Sequence, residues 1–319
     1  MASRAGQEEG LAPEDWSSGP MARATGVAAQ DLPAGLYVVA TPLGNAADVS
    51  VRALRVLREA DVLACEDTRT SGALLARFGI TTRRVALHRH NEAAAAAALV
   101  ARLREGGRVA LVSDAGTPAI CDPGAALVRA ALDAGIRVLP VPGPSSLAAA
   151  LSVAGVEGAR ARFLGFVPAA AGARAAFWRE VASCPDAVVA FEVPHRIAAS
   201  AADAAAALAP GRRVVLAREL TKQFETIVAT TAAGLPAAVA AAPEKGEYVL
   251  VVDAPPAAPA PDPQGEIPAD VRRWLEALAG ELPPARAAAV AARATGLARA
   301  RLYRLLCPED RQDRSAEAE

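Results

Sequence analysis

Lysine is almost absent from this chain of 319 residues: of its 34 basic side chains 32 are Arg, and the two ammonium groups are Lys222 and Lys245. Alanine fills one helical stretch after another, so the Ala and Arg excess reads as a coding bias, and a residue that departs from it carries information. Lys222, in RELTKQFET, is such a departure, a compact cation and a tunable base where Arg would be neither. Net charge is lacking as well. Against 35 acidic residues the formal balance is -1, which gives no global field for nucleic acid, so an RNA partner has to be met by a local basic surface.

Other absences narrow the function. Cys65, Cys121, Cys184 and Cys307 form no C-x-x-C pair and precede no His at zinc-ligand spacing, which fits reduced cytosolic thiols and no zinc site. His88 and His90 stand two apart near Glu92, but no further ligand cluster accompanies them and no metal is expected. Neither G-x-x-x-x-G-K-[ST] nor G-x-G-x-x-G occurs, so the ATP, GTP and dinucleotide fingerprints are missing. No apolar stretch of the roughly 18 residues that span a bilayer escapes Gly, Pro or charge. Residues Met1 to Gln30 lack the basic-then-apolar order of a signal peptide, and Met21 is an alternative start. A soluble, cytoplasmic protein without a membrane partner is expected.

What the chain does have is a set of apolar strands that break into polar loops. LVSDAGTPAICDPG and VLPVPGPSSLAAA, between Leu111 and Ala150, each run from a buried-strand pattern into Gly, Pro, Ser and Asp, and LYVVATPLGNAAD upstream does the same. Punctuation of this kind ends pairing where an α/β sheet opens its ligand crevice, so three such loops converge on one pocket.

From Gly35 to Ala150 β-rich runs alternate with helical patterns, which implies a mainly parallel sheet. Asp122-Pro123 offers an N-cap followed by Pro at the first helical position, and Pro144-Ser145 a similar start. Residues 151–253 read as a second α/β unit, with FETIVAT following RVVLARELTK closely enough for a hairpin and a mixed sheet. The expected organisation is therefore a disordered tail over 1–34, α/β domains over 35–150 and 151–253 with a cleft between them, a Pro-rich linker over 254–265 and a helical extension over 266–319. In that extension Thr295-Gly296 separates two short amphipathic helices in the manner of a helix-turn-helix. Its nine Arg balance nine acids from Gln264 to Glu319, so a packing or dimerisation module is as good a reading as nucleic-acid binding.

Charged blocks cluster at the predicted strand ends: ACEDTRTSG, HRHNE, FEVPHR and RELTKQFET. Each has a plain reading as a helix cap with a local ion pair, and each also stands where the crevice opens.

Taken in order, LYVVATPLGN, ADVLACEDTRTSGALL, HRHNE, VALVSDAGTPAICDPG, the PGPSS loop, FLGFVP, FEVPHR, RELTK and KGEYVLVV closely resemble the ribosomal RNA small subunit methyltransferase I family of the tetrapyrrole methylase superfamily. The likeness covers about Gly35 to Asp253, and TGLARARLYRLL resembles the family's helical extension. The resemblance implies S-adenosylmethionine as methyl donor, a homodimer, and as substrate the 2'-hydroxyl of a cytidine in the decoding region of 16S rRNA within the small ribosomal subunit. It places the donor on Pro42 and Gly44, on Asp114, Ala115, Gly116, Thr117 and Pro118, and on Ser145 and Ser146. Arg89, Val193 and the long N-terminal tail depart from the family pattern, which bears on local substrate contacts.

Methyl transfer from a sulfonium is an in-line displacement, so the acceptor oxygen must be aligned and its proton removed. The sequence by itself assigns no base. Lys222 and the Glu66/Asp67 pair are the first catalytic candidates. Arg69, His88, Asn91, Glu92, Glu192, His195, Arg196, Arg218 and Glu219 are substrate-binding candidates, with Arg69, Arg196 and Arg218 on phosphates. The rival readings are a small-molecule methyltransferase of the tetrapyrrole type and a non-catalytic ribosome-assembly factor.

Overall fold

Alternate residues of the first strands are apolar on both sides, and that pattern sets the architecture, because a strand buried on both faces needs helices above and below it. The computed structural model describes residues 20–88, 91–156, 160–243, 245–256 and 267–307. Strands β1 (Gly35–Val39), β2 (Val62–Cys65), β3 (Arg84–Ala86), β4 (Arg108–Val112) and β5 (Val138–Val141) form one parallel sheet in the order β3-β2-β4-β1-β5. On one face Tyr37, Val39, Leu63, Cys65, Ala110 and Val112 pack on Leu54 and Leu57 of helix α2 (Val51–Glu59). On the other, Leu36, Val62, Ala64, Val109 and Leu111 pack on α4 (Glu92–Arg104) and α5 (Ala125–Asp133) through Leu99, Leu103 and Leu127. Helix α3 (Thr68–Arg77) connects β2 to β3, and α6 (Ser146–Ala154) follows β5.

The second sheet holds β6 (Ala161–Phe166), β7 (Ala187–Glu192), β8 (Arg213–Arg218), β9 (Thr226–Thr231) and β10 (Tyr248–Val252), in the order β6-β7-β10-β8-β9. Only β6 and β7 pair in parallel; β8 and β9 form the expected hairpin, and the sheet is mixed. Helices α7 (Ala171–Ser183), α8 (Pro194–Ala207) and α9 (Leu235–Ala240) bury Trp178, Ile197 and Leu235 against one face. The other face is covered by α6, whose Ala150 and Ala154 lie with Val189, Val215, Val249 and Val251. Leu43, from the loop after β1, and Leu147, on α6, join the same apolar cluster. These contacts hold the C-terminal ends of β1 and β5 against the second sheet.

Two local starts differ from expectation. Helix α5 begins at Ala125, two residues after Pro123, with Gly124 at its N-cap. Gly124 has φ +126, where a Cβ would strike the Leu111 side chain at 2.6 Å, so only glycine fits. The cap comes from another helix: Glu92 Oε1 accepts the N–H groups of Gly124 (2.9 Å) and Ala126 (3.1 Å). At the other start, within the segment expected to be a disordered tail, Pro20–Thr25 forms helix α1, and Ala22 and Val27 are buried. Arg55 secures this segment by donating to the carbonyls of Val27 and Gln30. Residues 1–19 of that tail lie outside the described residues, as do 257–266 of the expected linker and its continuation.

The chain divides into two units after Pro255. The second contains α10 (Ala269–Glu281), α11 (Pro284–Thr295) and α12 (Arg299–Leu306) around Ile267, Leu275, Ala288, Ala291, Leu297 and Leu302. Gly296, at φ +73, ends α11 in the left-handed conformation, the turn that lets α12 fold back. Among the described residues no helix is long and apolar enough to cross a membrane.

Candidate functional site

The three polar loops meet at the C-terminal ends of β1, β4 and β5 and are tied to one another. Thr41 and Gly116 exchange backbone hydrogen bonds at 2.9 and 3.0 Å, and Thr41 Oγ1 donates to the Ser113 carbonyl at 3.1 Å. Thr117 Oγ1 donates to the Pro144 carbonyl at 3.0 Å, which joins the second loop to the third. A Cβ on Gly143 would sit 3.1 Å from Ala40 Cβ, so the third loop also lies close against the end of β1. Ser145 caps α6, its hydroxyl accepting the Ala148 N–H.

A cavity of about 260 Å³ opens between these loops and the second sheet. Its first wall holds Leu43, Asp114, Ala115, Gly116, Thr117, Ser145 and Ser146. Six of the nine expected donor positions thus line it, whereas Pro42, Gly44 and Pro118 flank it. The opposite wall is made by Phe166, Phe191, Glu192, Leu220, Glu247 and Tyr248. Four acidic residues line the cavity, Asp114, Asp122, Glu192 and Glu247, and among the described residues no Arg, Lys or His does.

Three of these acids, Asp114, Glu192 and Glu247, have distinct environments. Burial pushes the Asp114 carboxyl up; the Asp67 N–H, 3.2 Å from Oδ1, pulls it back, and the Asp67 charge adds to the rise. Glu192 is 1% exposed. Its Oε1 accepts the Val193 N–H at 2.8 Å and Arg196 Nη2 at 2.8 Å, while its Oε2 and Arg196 Nε are both buried without a hydrogen-bond partner. Glu247 is 76% exposed at the rim and pairs with Lys222 Nζ at 3.3 Å.

Lys222 is held as a cation. Burial alone would lower its pKa, but Glu219 Oε1, 2.9 Å from Nζ, and the Glu247 charge outweigh burial and raise it. Of the two roles open to Lys222, compact cation and tunable base, the two carboxylates favour the ammonium form. Glu219 shows the reverse balance, burial working upward and the bonds from Lys222 and the Glu247 N–H bringing its carboxyl below the ordinary value. Glu219 and Thr221 both have positive φ, +53 and +66, a strained turn that points the Lys222 stem at Gly44.

The other predicted residues are placed as follows. Asp67 caps α3 by accepting the Arg69 N–H at 2.7 Å and reaches the cavity only through Asp114. Glu66 and Arg69 do not line the cavity, and Arg69 is exposed on the first turn of α3. Asn91 Oδ1 accepts the His88 N–H at 2.8 Å and its amide donates to the Ala86 carbonyl at 3.0 Å, building the turn into α4. Arg218 is 7% exposed and donates to the Lys245 carbonyl at 2.7 Å and the Phe224 carbonyl at 3.2 Å. An enclosed guanidinium so occupied braces the chain around β8 and β10. His195 is exposed beside Pro194 on the first turn of α8.

Sequence reasoning missed the aromatic wall. Phe166, 47% exposed, meets Phe191 edge-on at a centroid distance of 5.5 Å, and Tyr248 lies beside them. The signal was present in FLGFVP and FEVPHR, which put Phe at strand ends in a chain with six. Cys121 gave no such signal; its φ of +69, with +64 at Ala119, shows only in three dimensions.

Comparison with known proteins matches residues 35–236 to the tetrapyrrole (corrin/porphyrin) methylases and residues 265–309 to an RsmI C-terminal HTH domain. The ribosomal RNA small subunit methyltransferase I of Neisseria meningitidis serogroup B is 45% identical over 273 residues, 85% of this chain and 92% of that protein. The protein of the same name from Pseudomonas aeruginosa is 47% identical over 270 residues, 84% of this chain and 95% of that protein. Among solved structures, the methyltransferase CobJ has a TM-score of 0.52 at 19% identity, covering 69% of this chain and 94% of its own. The cobalt precorrin-4 methyltransferase CbiF has a TM-score of 0.51 at 20% identity, covering 68% and 94%. Both share the fold.

Proposed function

The chain belongs to the tetrapyrrole methylase family and, within it, to the ribosomal RNA small subunit methyltransferase I group, and on that premise we propose that it moves a methyl group from S-adenosylmethionine to the ribose 2'-oxygen of a cytidine in the decoding region of 16S rRNA. The observation that carries this reading is the charge of the cavity. Among the described residues four acids and no Arg, Lys or His line it; Glu192 and Glu247 are paired with Arg196 and Lys222 just outside, and the acids on the side of the donor loops are Asp114 and Asp122, which suits a donor bearing a sulfonium and an ammonium group.

S-adenosylmethionine, when bound, supplies a methyl carbon activated by the positive sulfur. The chain's own residues bind and align it. Gly116, with φ +80, and the tied loops at Thr117 and Ser145 offer backbone polar groups and the N-terminus of α6, while Asp114 offers a negative charge. Alignment of this kind supplies much of the acceleration in bimolecular transfer.

The second unit favours an RNA acceptor more than its composition suggested. Within the nine-to-nine balance α10 is mixed, with Asp270, Glu276 and Glu281 beside Arg272 and Arg273, whereas α11 and α12 carry Arg286, Arg293, Arg299, Arg301 and Arg304 with no acid from Leu282 to Cys307. A one-signed pair of helices fits a phosphate backbone. The acceptor is read as the small subunit in the cytoplasm. The partner on the exposed apolar residues Phe224, Ile227 and Val228 by edge strand β9 is read as a second copy of the chain.

The test is transfer of labelled methyl from S-adenosylmethionine to small subunits lacking the modification, with nucleotide mapping of the product. A 2'-O-methylated decoding-region cytidine is expected. Donor binding with no label on subunits or free rRNA overturns the assignment in favour of a small-molecule acceptor, and RNA binding without donor binding in favour of an assembly factor.

A further inference from the structure

We propose that Phe166 and Ile120 form a slot for the base of the acceptor nucleotide: the extruded cytosine stacks on the Phe166 ring and is backed by the Ile120 side chain, while its ribose stands between the two walls of the cavity. This rests on the RNA reading above and deepens it, since that reading names the reacting oxygen and nothing that holds the base beside it.

The case begins with a side chain on the unexpected face of a strand. Residues two apart in a strand share a face, so Phe166 belongs with Leu164, which packs on the side of Trp178 and Ile197. It lies instead with Phe163 on the other side, both rings against Phe191 at centroid distances of 4.7 Å for Phe163 and 5.5 Å for Phe166. The cause is one extra residue: Phe163 stands opposite Val189 and Phe166 opposite Phe191, three steps along β6 against two along β7. Gly165, at φ +72, takes up the bend, a conformation open to glycine without steric cost. Bulges next to active sites re-aim side chains, and this one turns Phe166 into the cavity wall with its ring 47% exposed.

The loop beside it is strained to a similar end. Ala119 and Cys121 have positive φ, +64 and +69, and Ile120 between them lines the same cavity at 40% exposure. Non-glycine residues in this region are held there by their surroundings and gather at ligand clamps. The two jaws are neighbours, because a Cβ on Gly165 would lie 3.7 Å from Cys121 Sγ. Among the described residues, Phe166 and Ile120 are the large apolar side chains that are both exposed and on the cavity wall. A planar base set between an aromatic face and an aliphatic side chain takes both out of water, the way enzymes that act on an extruded nucleotide hold it. Base and 2'-oxygen hang on adjacent ribose carbons, so a base fixed here also fixes the oxygen near the donor loops. The rival occupant is the donor's own adenine, and donor affinity tells the two apart.

The test compares the wild type with Phe166→Leu, Phe166→Tyr and Ile120→Ala in methylation of unmodified small subunits, with donor affinity measured by calorimetry. Leu keeps the apolar bulk and loses the planar face, so kcat/KM for subunits is expected to fall about tenfold or more while donor affinity stays within about threefold. Tyr keeps the ring, and its kcat/KM is expected within about threefold of wild type. Ile120→Ala opens the slot from the other side, with a several-fold fall in kcat/KM at unchanged donor affinity. A Leu variant as active as wild type overturns the proposal, and so does a Tyr variant as poor as Leu. A fall in donor affinity that matches the fall in kcat/KM gives the slot to adenine and overturns it as well. If the Leu variant does not fold, Ile120→Ala decides: lost kcat/KM with full donor affinity supports the slot, and full kcat/KM refutes it. Wild-type protein that labels no subunit removes the RNA reading and this proposal with it; wild-type labelling with a fully active Leu variant removes the proposal alone.

Discussion

Lys222 lies across Gly44. A Cβ on Gly44 would meet Lys222 Cδ at 3.0 Å and Cε at 3.1 Å, with Cγ closer still, and the ammonium beyond them is anchored by Glu219 and Glu247. The stem has no room to yield without loosening both ion pairs. The loop after β1 and the turn after β8 are therefore coupled through one side chain. Gly44→Ala is expected to destabilise the protein by about 1 kcal/mol and to weaken donor binding several-fold, as read by chemical denaturation and calorimetry.

Lys222→Met keeps the packing on Gly44 and removes the charge. Turnover is expected to fall more than donor affinity, with no change in the shape of the pH–rate profile, since Lys222 positions and does not accept the proton. Stability supplies the second readout. The folded pKa of Lys222 lies above its ordinary 10.5, so its contribution is complete below about that pH and is lost as pH rises through the folded value. The lowered Glu219 carboxyl contributes above its ordinary 4.5 and loses that contribution as pH falls through the folded value. Melting temperatures measured against pH should show both losses weakened in the Met variant.

Asp114→Asn tests a conflict between stability and binding. Its carboxyl is raised by burial, so the charged form burdens the folded state, and stability rises as pH falls from above toward the ordinary value of 3.8. Asn retains an oxygen for the Asp67 N–H and removes the repulsion from Asp67. The variant is expected to melt slightly higher at neutral pH, by no more than about 2 °C, and to bind the donor more weakly. A lower melting point with full affinity contradicts both halves.

Glu92→Ala separates a cap from a substrate contact. Glu92 Oε1 holds two N–H groups at the start of α5, and the loss of such a cap costs about 0.5–2 kcal/mol. A lower melting temperature with an unchanged KM for small subunits is the expected pair of results. A raised KM at unchanged stability would return Glu92 to the substrate.

The alternation of apolar strands with helices, the three Gly/Pro loops and the block order of the family were legible in the residues themselves, because periodicity and turn chemistry are local properties of the chain. Local chemistry also marked Lys222, and it identified Asp67, Ser145 and Gly296 as turn or cap residues, where the structure has them. It did not decide what the charged side chains meet. Arg218 in RELTK and Arg196 in PHR look alike as cations at strand ends, yet one is enclosed by the carbonyls of Phe224 and Lys245 while the other faces Glu192. Glu92 reads as a helix-starting acid of its own helix and caps a different one. The aromatic wall of Phe166, Phe191 and Tyr248 and the ion pairs of Lys222 join residues that lie 3 to about 80 positions apart. Spacing in the sequence determines which face of a strand a side chain occupies, but its partner across a cavity depends on how two sheets come together, and that belongs to the tertiary structure.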